Sequence, residues 1–147
     1  MSSNRRKKLA AVRRYASRLE DNAAAHLATV ANDVQAAKQL LQELIEYRKE
    51  YLTPPATREQ WQAQHWEDYY GFLRRLDRAV DAQREIAEQH GLRLRSVREE
   101  WQRLRTRNES LDHMDQQLLN TEQQRSELIA QKEADAWALM ARIRQAQ

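Results

Sequence analysis

Along the first third of the chain, Leu9, Val12, Ala16, Leu19, Ala23, His26, Val30, Asp33, Ala37, Leu40, Leu44, Tyr47 and Tyr51 follow one another at alternating spacings of three and four. That is a heptad seam, and it predicts one long helix from about residue 4 to residue 52. Leu27, Val34 and Leu41 flank it, so the apolar stripe is wider in its second half. A second seam runs through Tyr69, Phe72, Leu76, Ala79, Gln83, Ile86 and His90, then Leu94, Val97, Trp101, Leu104, Asn108, Leu111, Asp115 and Leu118. Around His90 one four-residue step follows another, with Gly91 between, which predicts a stutter and a locally straightened helix without a chain break.

The two seams are separated by Pro54 and Pro55, the only prolines. Proline removes a backbone donor and clashes with the preceding turn, so helix cannot pass through the pair. Thr57-Arg58-Glu59-Gln60 then reads as a capping box, with the Thr57 hydroxyl accepting from the Gln60 amide. The expected fold is therefore all-α: a single coiled-coil domain over 1–147, with helix one at about 4–52, a turn at 53–57 and helix two at about 58–144. A short turn makes the pair an antiparallel hairpin. At about 1.5 Å per residue the helices would span roughly 70 and 130 Å, so the second is longer and overhangs. Pairing outward from the turn should exhaust helix one near Trp101 to Leu104. Beyond that the seam positions degrade to Asn108, Asp115, Glu122, Arg125 and Lys132, predicting a weakly held arm in want of a partner.

Composition adjusts this picture only slightly. With 41% hydrophobic and 32% charged residues, two glycines and a mean hydropathy of -0.99, the chain is rich in surface, as an elongated coiled coil is. The regular apolar spacing argues against disorder. There is no cysteine, which removes disulfides and thiolate chemistry and fits a reducing compartment. No stretch approaches the ~20 apolar residues of a spanning helix, and charges at Arg13, Arg14 and Arg18 follow the basic start too soon for a signal peptide. Arg5, Arg6, Lys7 and Lys8 oppose the helix macrodipole, so that end is either solvated or held by something acidic, a partner or an anionic lipid surface.

Candidate chemistry is sparse. His26, His65, His90 and His113 never stand three or four apart, and Gly71 and Gly91 cannot build a phosphate-cradling loop. No catalytic, metal-binding or cofactor-binding residue is expected, and the chain reads as not an enzyme. Trp61, Trp66, Trp101 and Trp137 read most simply as hydrophobic anchors in the core, with partial exposure the alternative for Trp61 and Trp66 so near the turn. Arg93, Arg95, Arg98, Arg103, Arg105 and Arg107 offer an alternative function, a basic coiled coil binding nucleic acid, but Glu99 and Glu100 interrupt the run and Glu99 is spaced to pair with Arg103.

Near the turn each helix carries two apolar stripes where a two-helix seam needs one. Leu40, Leu44, Tyr47 and Tyr51 lie beside Leu41, Ile45 and Leu52; Phe72, Leu76 and Ala79 lie beside Leu73 and Val80. One set packs between the helices, and the other is left for a binding partner or for a second copy of the chain.

Leu44-Ile45-Glu46-Tyr47-Arg48-Lys49-Glu50-Tyr51 before the turn, with Tyr69, Phe72-Leu73, Leu76 and Ala79-Val80 after it, resembles the tip of the flagellar export protein FliJ family. The resemblance implies a non-enzymatic, cytoplasmic component of the flagellar type III protein export apparatus, peripherally associated with the inner membrane at the flagellar base and needed for flagellum assembly and motility. It further implies a stalk like that of the rotary ATPase γ subunit, whose terminal end enters the hexameric export ATPase. Another face meets the cytoplasmic part of the export gate, and export chaperones are further partners. Carried over, the gate-binding face is Leu44, Tyr47, Tyr51, Phe72, Leu76 and Ala79, together with Leu40 and Gln83, which stand on that face where the family's pattern would have other polar residues. The resemblance also reverses the periodicity reading near the turn, placing Leu41, Ile45, Leu73 and Val80 inside.

Overall fold

The computed structural model describes residues 2–147 as two long helices joined by a short irregular segment. Helix α1 runs Ser2–Leu52 and helix α2 runs Ala63–Ala146, the latter 84 residues long against 51. No strand occurs among the described residues. The fold is all-α with the second helix the longer, as the two seams predict.

The start of α2 differs from expectation. Pro55 is extended, and Ala56–Gln60 form a 3₁₀ turn with no side-chain cap, closed by the Trp61 amide donating to the Arg58 carbonyl at 3.0 Å. The helix proper begins at Ala63, and the Gln62 amide donates to His65 Nδ1 at 3.1 Å. The ring nitrogen three residues on thus does for the Gln62 amide what the Gln60 side chain was expected to do for Thr57, and no side chain takes the role expected of the Thr57 hydroxyl at the 3₁₀ turn. Two consecutive prolines leave the chain extended at Pro55, and a single 3₁₀ turn is used to redirect it before an α-helix can start.

The chain forms two compact units, one of residues up to Asp21 with Arg103–Gln147, the other of Asn22–Gln102. In the second, Gln83 meets Ala37, Arg48 meets Asp77, and the Tyr69 hydroxyl donates to the Tyr51 carbonyl, so numbers fall on α2 as they rise on α1. This is an antiparallel hairpin. In the first unit Arg6 pairs with Asp115 and Glu122, Arg13 with Asp112 and Asp115, and Asn108 with the Ala16 carbonyl and Glu20, again antiparallel.

Burial corrects the predicted seam by one residue on one flank. Leu9, Ala16, Ala23, Val30, Ala37 and Leu44 face inward as expected, but the positions alternating with them are Arg13, Glu20, Leu27, Val34, Leu41 and Arg48. Val12, His26, Asp33, Leu40 and Tyr47 are exposed instead. On α2, Val80 and Ala87 take the inner places and Ile86 is exposed. Leu76, Val80, Gln83, Ala87, His90 and Leu94 then step by four and three without interruption, so the stutter at Gly91 disappears. Val30 is fully buried, and the alanines Ala16, Ala37 and Ala87 sit in the seam with it, small side chains that let two helices approach closely.

Pairing also runs further along α2 than expected. Asn108, Asp115 and Glu122 are not a decayed seam; they are the partners of α1 side chains and of its Ala16 carbonyl. The carboxylates supply the acidic counterpart that the basic start calls for, and Arg6 lies against two of them. Residues 103–122 are therefore held, and only from 123 onward is every residue exposed.

Candidate interaction face

In the unit Asn22–Gln102 the second apolar stripe of each helix meets solvent on one side of the hairpin, near the turn. Tyr47 and Tyr51, one helical turn apart on α1, lie with ring centroids 4.8 Å apart, and the Phe72 ring of α2 stands edge-on to both, at 6.4 Å from Tyr47 and 4.9 Å from Tyr51. Edge-to-face contacts at these separations are favourable beyond the area they cover, so the three rings form a set spanning the two helices. Tyr47 is 42% exposed and Leu40 46%. Tyr51 is also exposed, while Leu44, Phe72 and Ala79 are half-buried beneath them.

The eight residues singled out by sequence therefore divide. Leu40, Leu44, Tyr47, Tyr51, Phe72 and Ala79 retain accessible surface. Leu76 and Gln83 are buried, at 7% and 8% exposure, and belong to the contact between the helices. The Gln83 side-chain amide donates to the Ala37 carbonyl at 3.1 Å, which satisfies a polar group that the seam has taken out of water. Val80 is buried, as the resemblance implies and the simple periodicity does not, whereas Leu41, Ile45 and Leu73 are half-buried, the same class as Leu44, Phe72 and Ala79.

The Tyr47 hydroxyl lies 3.3 Å from that of Tyr51 and donates to it. The hydrogen bond is made by the protonated phenol, so the Tyr47 pKa is raised above the usual phenol value; Tyr51 and Glu50 add to the shift through their own charges.

Sequence reasoning missed how far the aromatic surface extends around the turn. Trp61 packs on Trp66 and Tyr69 at centroid distances of 4.9 and 5.3 Å, and Trp66 on Tyr70 at 5.9 Å. A cleft of about 280 Å³ opens among Tyr51, Pro55, Trp61, His65, Asp68 and Tyr69. The available signal was the density of aromatic residues just after the prolines, more than one hairpin end can cover. Of the four tryptophans, Trp61 and Trp66 are half-buried, in keeping with partial exposure near the turn, Trp101 is half-buried too, and Trp137 is 70% exposed, contrary to a core place, because nothing from α1 covers it.

The basic surface is less available than its count suggests. Arg6 and Arg13 are engaged with carboxylates in the first unit, and Arg105 lies 3.4 Å from Glu109. Phosphate tracking needs unpaired cations in line, so these pairs weigh against the nucleic-acid alternative.

A family profile described as Flagellar FliJ protein matches residues 5–147. The chain belongs to the FliJ family. It is thus a component of the flagellar export apparatus. No curated protein and no solved structure matches it. Among the described residues, no helix of this FliJ family member is long and apolar enough to cross a membrane.

Proposed function

We propose that this FliJ family member is a non-enzymatic stalk that couples the hexameric export ATPase to the cytoplasmic part of the export gate. The terminal segments of its two helices enter the ATPase ring, and the face of Leu40, Leu44, Tyr47, Tyr51, Phe72 and Ala79 binds the gate. Export chaperones are further partners, and the protein works in the cytoplasm against the inner membrane. The supporting observation is the Tyr47, Tyr51 and Phe72 ring set, which presents apolar surface that the hairpin does not use. Aromatic anchors of this kind dominate the energy of protein interfaces. Leu76 and Gln83 have a different role in this reading: they hold the helices together beneath the face.

Replacing Tyr47 by Ala separates the two roles. In a pull-down with the purified cytoplasmic part of the gate, Tyr47→Ala is expected to lose most binding while its helicity and melting temperature stay close to those of the parent. Leu76→Ala is expected to lower stability by about 2–4 kcal/mol, the usual cost of emptying a buried leucine site. Gate binding that survives Tyr47→Ala, or a collapse of stability in that variant, would dismiss the assignment of the face.

A further inference from the structure

The run 123–147 lies past Glu122, whose carboxylate pairs with Arg6 of α1, and every residue in it is exposed although α2 continues to Ala146. It carries large apolar side chains left in water: Leu128, Ile129, Trp137, Leu139, Met140 and Ile143 are each more than half exposed. A lone helix of this length is marginal in water, and an apolar stripe of this kind calls for a cover.

The heptad of the paired region continues into the arm. Counting on from Glu122, Ile129, Ala136 and Ile143 take the a positions, and Lys132, Leu139 and Ala146 the d positions. Leu128, Asp135 and Arg142 then fall at g, with Glu133 and Met140 at e. The charges along the arm are mixed in its first part, where Glu127, Glu133 and Asp135 stand with Arg125 and Lys132, and wholly basic in its last, at Arg142 and Arg144.

We infer that two copies of this chain associate through these arms, paired antiparallel. In an antiparallel pair a layers face d layers, so Ala136 sets against Leu139 of the second copy and Ile129 against Ala146, small against large, while the stem of Lys132 lies against Ile143. That register brings g opposite g, with Asp135 against Arg142 of the second copy. By two-fold symmetry the pair occurs twice. Parallel pairing would set g against e, leaving Asp135 beside Met140 and Arg142 without a carboxylate. Only the antiparallel arrangement gives both Asp135 and Arg142 a partner of opposite charge. Dimerisation covers Leu128, Ile129, Leu139, Met140 and Ile143 until another partner takes them, and leaves Trp137, at a b position, outside the seam.

The test is sedimentation equilibrium of the full chain at low salt, for the parent, Asp135→Arg, Arg142→Asp and the double variant Asp135→Arg/Arg142→Asp. All the substituted positions are exposed, so the fold should be retained, which circular dichroism checks. The parent is expected to show a reversible monomer–dimer equilibrium. Each single reversal turns two attractive pairs into two repulsive ones and should weaken dimerisation by about tenfold. The double variant restores opposite charges and should recover the parent affinity. A parent that stays monomeric overturns the inference. So does a dimer indifferent to the single reversals, or a double variant no better than either.

Discussion

Two tyrosines on one helix face give this protein its most testable local property. Tyr47 and Tyr51 are four residues apart, and a helix places such residues side by side, close enough here for one hydroxyl to donate to the other. The proton so held makes Tyr47 a weaker acid than an ordinary phenol. Tyr51→Phe removes the acceptor and keeps the ring, so Tyr47 is expected to titrate at a lower pH in that variant, as read from phenolate absorbance. An unchanged titration would mean that the hydroxyl contact does not form in solution. The sign is that of a raised pKa: the contact favours the neutral form and is lost as pH rises through the Tyr47 pKa. Gln83 shows the opposite economy. It is polar at a seam position, and it is tolerated because its amide reaches the Ala37 carbonyl, a directional contact that also ties Gln83 to one register.

At the scale of the helices, α1 needs α2 at its basic end for electrostatic as well as apolar reasons. The first turn of α1 contains no acidic residue, so the macrodipole goes uncompensated within the helix and the carboxylates of α2 take that role. Asp115 lies between Arg6 and Arg13 at 3.4 and 3.1 Å, with its side chain 16% exposed, and so serves both. Asp115→Asn keeps the shape and removes the charge. It is expected to lower the urea midpoint modestly, by the equivalent of about 1–2 kcal/mol, with high salt shrinking the difference between variant and parent. A variant as stable as the parent at low salt would show that these pairs are solvated in solution. The same cluster explains why the overhang was misjudged from sequence. Asp115 and Glu122 in a seam read as decay when α2 is considered alone, yet they complete the seam once Arg6 and Arg13 stand opposite.

Along α2 the helix continues where burial does not. In the unit Asn22–Gln102 the fully buried Val30 and the buried Leu76 and Val80 lie on facing helices. In the other unit the helix beyond Glu122 has no buried residue at all. Hydrogen exchange should follow this: amides around Val30, Leu76 and Val80 exchange slowest, and those of 123–147 orders of magnitude faster at concentrations where the chain is monomeric. Uniform protection along α2 would contradict the picture of an unsupported arm. Apolar surface is thus left uncovered both beside the turn and along the arm, while the buried residues are mostly alanines and valines, with Leu76 and Leu104 among them.

How much of this was legible in the sequence depends on which interaction decides each feature. Helix, break and helix follow from local chemistry: the 3.6-residue periodicity, and a proline pair that no helix accommodates. These set the all-α fold, the greater length of α2 and, with the residues around Tyr47 and Phe72, the family. Where α2 starts was not legible, because Thr57 and His65 both offer caps and the choice turns on how two prolines direct the chain. Nor was the seam near the turn. Leu40 and Leu41, or Ala79 and Val80, differ by one position and are equally apolar, so periodicity cannot rank them. The ranking comes from which residues the opposite helix can reach, and that is a property of two helices in contact. Only tertiary structure, by turning Leu41, Val80 and Gln83 inward, left Leu40, Tyr47 and Tyr51 facing water.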